Sequence, residues 1–217
     1  MLPFIRRHLD PAARLGEALF GLIMALGFTG AVRLGEEEAN NRALFIGILG
    51  CNLAWAIVDG VMYVLTALVE RGRKLRLVRE VLSAPTDEAA LQQIGRELDG
   101  PLMTLTTPQE RLQVHGWVLE ILRRGGSEEA RVERQDLLGG LAASLLVLLA
   151  TFPVVVPFLV IPDPNLATRI SNLIGLVLLF LLGVRWGQIV GGRSIRIATG
   201  LTLVGVVLVL ITIVLGG

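Results

Sequence analysis

Asp59 stands where a carboxylate is expensive. It lies roughly midway along the apolar run 43–69, eleven residues before Glu70. A charged side chain at a bilayer centre costs about 2.5–3.5 kcal/mol on insertion scales, so such a residue usually faces a pathway, a partner or a water-filled cavity. At helical spacing, Asn52 (i−7), Trp55 (i−4), Met62 (i+3), Tyr63 (i+4) and Thr66 (i+7) fall on its stripe. Carboxylate, amide and thioether groups together could ligate a divalent cation or pass a proton. The plainer alternative is a protonated Asp59 that donates a structural hydrogen bond between helices.

Glu17 is the second candidate. It lies one turn into another apolar run, with Met24 seven residues on along the same face and Gly21 between them. Arg14, three residues back, offers an interfacial ion pair as the alternative. Glu36-Glu37-Glu38 reads as a solvated loop. From Glu80 to Glu133 there are ten carboxylates, with Met103 and His115 as further donors, but none stands in a tight H-x-x-x-H or E-x-x-H spacing. Phosphate-loop, nucleophile-elbow and H-E-x-x-H signatures are all missing from the sequence. No enzyme is expected. Trp and basic residues do not interleave as a nucleic-acid platform would need, so no nucleic-acid partner is expected either.

These residues need helices to position them, and composition says in which solvent. Of 217 residues, 53% are hydrophobic and 18% charged, with mean hydropathy +0.68. Soluble domains carry about a quarter charged residues. The apolar residues gather in runs near the roughly 20 residues that cross a bilayer. The expected fold is an all-α integral membrane protein with five transmembrane helices, at about 15–34, 43–69, 137–161, 170–191 and 196–216. A helical insertion separates spans two and three. The organisation is thus 1–69 (lead-in and two spans), 70–136 (insertion) and 137–217 (three spans). The lead-in is expected to be retained: Arg6, Arg7 and Arg14 are mixed with Asp10, and no small-x-small cleavage site ends the run. Asp10-Pro11 reads as an N-cap followed by proline at the first helical position. Gly16, Gly21, Gly27 and Gly30 suggest a close-approach face on span one, suited to a homodimer. Cys51 is the single cysteine, so no intrachain disulfide is possible.

Charge orients the spans. Three Lys/Arg precede span one, eleven lie in 70–136, and three (Arg185, Arg193, Arg196) flank the turn between spans four and five. Only Arg33, Arg42 and Arg169 fall at the opposite ends. By the positive-inside rule the N-terminus and the insertion are expected in the cytoplasm and the C-terminus outside, in a bacterial inner membrane.

The insertion shows amphipathic helices. Leu75, Val78 and Leu82 mark one over 72–83; Leu91, Ile94 and Leu98 mark a second over 87–98; Thr107-Pro108-Gln109-Glu110 opens a third, which Gly125-Gly126 stops. Ser127 with Glu128 and Glu129 is expected to cap a helix leading into span three. Such helices can pack into a module or lie on the membrane surface, as basic residues near 71–79 would favour.

This order of elements resembles the vacuolar iron transporter family, as a divergent bacterial-type member, over roughly 14–216. The likeness rests on Arg14-Leu15-Gly16-Glu17-Ala18-Leu19-Phe20-Gly21, on Asp59-Gly60-Val61-Met62-Tyr63 and on the last span after Arg193-Ser194-Ile195-Arg196. It implies a homodimer whose first spans line a path for Fe²⁺ or Mn²⁺, with proton-coupled export from the cytosol. Two features depart from the family pattern. Leu22-Ile23-Met24-Ala25 stands where an Asp-Gly pair is expected, and the insertion has no E-x-x-E spacing.

Two readings follow. In one, a secondary transporter uses Asp59 as central ligand or proton acceptor, with Glu17, Met24, Asn52 and Met62 completing a metal set. The cation is cargo, and no permanently bound cofactor is expected. In the other, a non-transporting dimeric scaffold or sensor binds a protein partner through the 70–136 module.

Overall fold

The structure is a computed structural model that describes residues 1–31, 40–100, 106–125 and 129–214, leaving aside the side chains of 29–31 and 212–213. Among them every regular element is a helix: α1 (Leu2–His8), α2 (Pro11–Ala31), α3 (Asn41–Leu82), α4 (Asp87–Leu98), α5 (Pro108–Arg124), α6 (Arg134–Val155), α7 (Pro157–Val160), α8 (Pro164–Val190) and α9 (Ser194–Val214). Five of them, α2, α3, α6, α8 and α9, are long and apolar enough to cross a bilayer. The chain divides into two compact units, Met1–Val64 with Glu133–Gly217, and Leu65–Val132.

The helix starts follow local chemistry. The Asp10 carboxylate accepts from the backbone N–H of Ala12 (2.8 Å) and Ala13 (3.0 Å), with Pro11 opening α2. Asp163 accepts from Asn165 N–H at 2.9 Å ahead of Pro164, so α8 begins six residues earlier than the apolar run alone suggests. The entry to span three differs from expectation. α6 starts at Arg134, where Asp136 accepts from the Glu133 N–H at 2.8 Å in a capping box. Residues 129–133 are not helical, and Ser127 and Glu128 lie outside the described residues. The separate helix expected over 72–83 does not exist either. It is the end of α3, which continues for 42 residues, about 63 Å at the α-helical rise. Glu, Arg, Lys and Leu dominate 70–82, all good helix formers, so nothing there breaks the ladder when the apolar run ends.

In the first unit, large apolar residues such as Leu26, Leu44 and Val154 form the core, and small residues make the contacts along α8. Ala167, Ser171, Gly175, Leu179, Gly183 and Gly187 recur every four residues along α8, and all are buried. Four residues advance 400°, so this stripe winds about 40° per step. It therefore meets one neighbour after another. The Ser171 hydroxyl donates to Val154 O of α6 at 2.7 Å. Gly175 lies under Leu26 of α2, and Gly183 and Gly187 lie against the backbone of Ala198 and Ser194 in α9. Outward are large apolar side chains such as Leu173 (61% exposed) and Leu203 (61%). Small inside and large apolar outside is how helices pack when the solvent is lipid.

The second unit is a packed module. Val81, Ala90, Ile94 and Leu119 form a small core from the end of α3, α4 and α5. Thr86 accepts from Ala89 N–H at 3.2 Å to start α4. Thr107 and Glu110 form a full capping box at the start of α5.

Candidate carboxylate site in the helix bundle

Helix α2 carries Glu17 and α3 carries Asp59 near enough for their charges to interact. The Asp59 carboxyl lies within Coulombic reach of Glu17, and both side chains are half-buried. Asp59 Oδ2 is itself buried and has no hydrogen-bond partner among the described residues. No ion pair between Arg14 and the Glu17 carboxyl is found among the described residues. Two carboxylates held this way in apolar surroundings repel each other, and a proton or a cation between them removes that repulsion.

Glycine makes the approach possible. Next to Asp59, Gly60 touches Gly140 of α6: a Cβ at Gly60 would fall 2.9 Å from the Gly140 carbonyl oxygen. The Ser144 hydroxyl donates to Ala56 O at 2.6 Å across the same crossing. The hydroxyl that links α3 to α6 thus goes to the backbone three residues before Asp59 and not to its carboxyl. Gly21 plays the matching part on α2, where a Cβ would lie 2.7 Å from Val147 O of α6.

The other residues expected at the site are placed differently. Asn52 is fully buried two turns along α3, about 10 Å of helix rise from Asp59. Its Oδ1 accepts from the Thr151 hydroxyl at 3.0 Å, and its Nδ2 donates to Ile48 O at 3.0 Å. Those bonds occupy the amide in a link between α3 and α6. Met62 is 54% exposed and Trp55 41%, so the expected stripe splits: Asn52 turns inward while Met62 and Trp55 turn outward. Met24 is half-buried on the Glu17 face of α2. Among the described residues, no group of three or more His, Cys, Asp or Glu side chains stands close enough to hold a metal ion. Glu17 and Asp59 are thus two carboxylates whose charges interact, with no third titratable ligand grouped with them among the described residues. Thr151 and Ser144 carry no signal in the sequence beyond a hydroxyl inside an apolar span.

The glycine face expected on span one also divides. Gly21 is five residues from Gly16, about 140° around the helix, and is used within the chain. Gly16 and Gly27, eleven residues apart, share a face with nothing within 4 Å of either. The side of Gly30 lies outside the described residues.

In the module, α4 and α5 border a cavity of about 680 Å³. His115 is buried there and its Nε2 lies 3.0 Å from Asp99 Oδ1. Gly95 gives the ring room, since a Cβ would sit 3.1 Å from its Cε1. The carboxylate orients the imidazole. Met103 lies outside the described residues. No model of a known protein family matches the chain, and no curated protein sequence matches it either.

Proposed function

We propose that the chain is a membrane transporter of a divalent cation, Fe²⁺ or Mn²⁺, working as a proton-coupled exporter from the cytosol. The observation that carries this reading is the pairing of Glu17 with Asp59, whose buried Oδ2 has no partner. A polar atom left unsatisfied in an apolar bundle is costly, and function is the common reason to keep one. Two carboxylates supply the charge for one divalent cation, and proton uptake by the emptied pair gives the coupling. Hard and borderline donors of this kind suit Fe²⁺ or Mn²⁺. Two carboxyl groups are too few for a full coordination shell. A second copy, docked on the open Gly16–Gly27 face of α2, would add its own pair. The sequence likeness to vacuolar iron transporters points the same way, and the charge asymmetry, by the positive-inside rule, supports an N-terminus and module on the cytoplasmic side.

Asp59→Asn tests the reading, because it keeps shape and hydrogen bonding and removes the titratable charge. Metal flux in proteoliposomes should fall by at least about a hundredfold while the melting temperature in detergent holds or rises. Wild-type flux in that variant removes Asp59 from the mechanism.

One observation favours the scaffold reading. Trp117 and Ile121, one turn apart on α5, are 59% and 64% exposed. Such a pair on a charged helix suits a protein partner. Absence of flux in the wild type, with a partner lost in Trp117→Ala, would select it.

A further inference from the structure

At one end of the helix bundle, α1, α2, α6 and α8 line an open pocket of about 600 Å³, in which arginines stand on otherwise largely apolar walls. Arg6, Arg14 and Arg185 all line it, one from each helix. Arg185 Nη1 donates to Gln188 Oε1 at 2.9 Å, which holds its guanidinium at the pocket wall. No carboxylate is among its described lining residues. Directly adjoining is a second cavity of about 520 Å³ between α2, α6 and α8. Leu2, Ala18, Leu146 and Arg185 line both, so the two are continuous. The second is almost wholly apolar, with Leu22, Leu149, Ala150, Pro153, Leu178 and Leu181 in its walls.

We infer that this composite cleft is a binding site for one anionic phospholipid, its phosphate held by Arg6, Arg14 and Arg185 and one acyl chain laid along the groove between α2, α6 and α8. Three guanidinium groups without a carboxylate among them repel one another, and an anion relieves this. The planar forks match phosphate oxygens. A soluble phosphate would fill the polar half alone and leave the groove beside it unused. A neutral or zwitterionic lipid would fill the groove but bring a compensated head group to three positive charges. Only an amphiphile with a net negative head uses both halves. Its position also suits lipid, because basic side chains at the end of apolar helices stand at the depth of the head groups.

Native mass spectrometry of the full chain in a neutral detergent tests this, with phosphatidylglycerol and phosphatidylcholine as probes. The wild type should bind the first lipid at least about tenfold more tightly, a lower bound on the roughly hundredfold that three basic residues each adding about a factor of five near an anionic head group would give. Replacing all three residues (Arg6→Gln, Arg14→Gln, Arg185→Gln) should bring the two lipids level, while the matching Lys replacements keep part of the preference. Ala150→Trp, which fills the groove and spares the arginines, should weaken both lipids. Glycerol phosphate, the head without a tail, should not displace phosphatidylglycerol at equal concentration. Equal binding of both lipids by the wild type would overturn the inference, and so would an unchanged preference in the Gln variant. Displacement by glycerol phosphate, or full binding in Ala150→Trp, would overturn the acyl groove. If the Gln variant fails to fold, the wild-type preference and Ala150→Trp decide the matter.

Discussion

Along α8 the residues turned inward are Ala167, Ser171, Gly175, Leu179, Gly183 and Gly187, all small but Leu179, and those turned outward include Leu173, Val177 and Leu181. Along α4 and α5 the buried residues include the large Ile94, His115 and Leu119 beside Ala90 and Gly95, while Arg96, Glu97, Glu120 and Arg124 face outward. The same secondary structure thus obeys two sorting rules. In the module, burial removes apolar area from water, and large residues gain most from it. Along α8, apolar area is equally content in lipid, so burial goes mostly to residues small enough to let backbones touch or able to donate a hydrogen bond, while large side chains such as Leu26, Leu44 and Val154 fill the bundle core. Size sorts the faces of α8, and hydrophobicity sorts those of the module helices.

Substitutions can break this contrast, and the largest effect belongs to the α8–α9 contact. A Cβ at Gly183 would already fall 2.9 Å from the Ala198 backbone nitrogen. Gly183→Leu should cost about 3 kcal/mol or more, read as loss of monodisperse protein in detergent. A melting temperature near wild type would mean that α9 does not pack there. Next comes a matched pair of truncations. Ile94→Ala empties the module core and should cost about 2–5 kcal/mol, seen as faster hydrogen exchange in α4 and α5. Leu203→Ala, on the outward face of α9, should stay within about 0.5 kcal/mol. Equal costs would erase the distinction between the two units. Thr151→Val should cost about 1 kcal/mol, because it removes the hydroxyl that links Asn52 of α3 to α6. Unchanged thermal unfolding would show that Asn52 finds another donor.

The smallest effect is one of pH and belongs to the module. The Arg123 guanidinium hydrogen-bonds Asp87 and holds its carboxyl below the usual range, through that bond first and its charge second. The Thr107 backbone N–H, and then its hydroxyl, do the same for Glu110. The unfolded chain takes up these protons first as pH falls. Support present at neutral pH therefore drains away as pH drops from about 4 through the lowered folded-state values. Melting followed from pH 7 to pH 3 should show a shallower acid loss in Asp87→Asn with Glu110→Gln. Identical slopes would detach both groups from the acid response.

What the sequence reveals is what is local. Asp10-Pro11, Thr107 with Glu110 and the five apolar runs are legible because cap, start and solvent preference are encoded within a few residues. Where the spans end is less so: the charge beginning at Glu70 marks a change of solvent, and the backbone of α3 ignores it. The winding stripe of α8 escapes a search for amphipathic periodicity, because both its faces are apolar and only size distinguishes them. At the site, Glu17 and Asp59 stand out singly as carboxylates in apolar runs. Their nearness depends on how α2 and α3 each cross α6, and Gly21 and Gly60 set that far from any motif. Asn52 looks like a ligand in sequence because its partner, Thr151, is 99 residues away.

The stripe on α8 behaves as a screw thread, and threads fail by slipping. One residue inserted between Ser171 and Gly175 would turn everything beyond it by about 100°. Ser171 would still reach Val154, but Leu26 and α9 would meet bulky side chains where Gly175, Gly183 and Gly187 now sit. The inserted residue could be the mildest alanine, and hydropathy would hardly change. In this helix the spacing of small residues is harder to alter than their surroundings. Lengthening should be tolerated only before Ala167 or after Gly187, where no later turn of the thread has to engage.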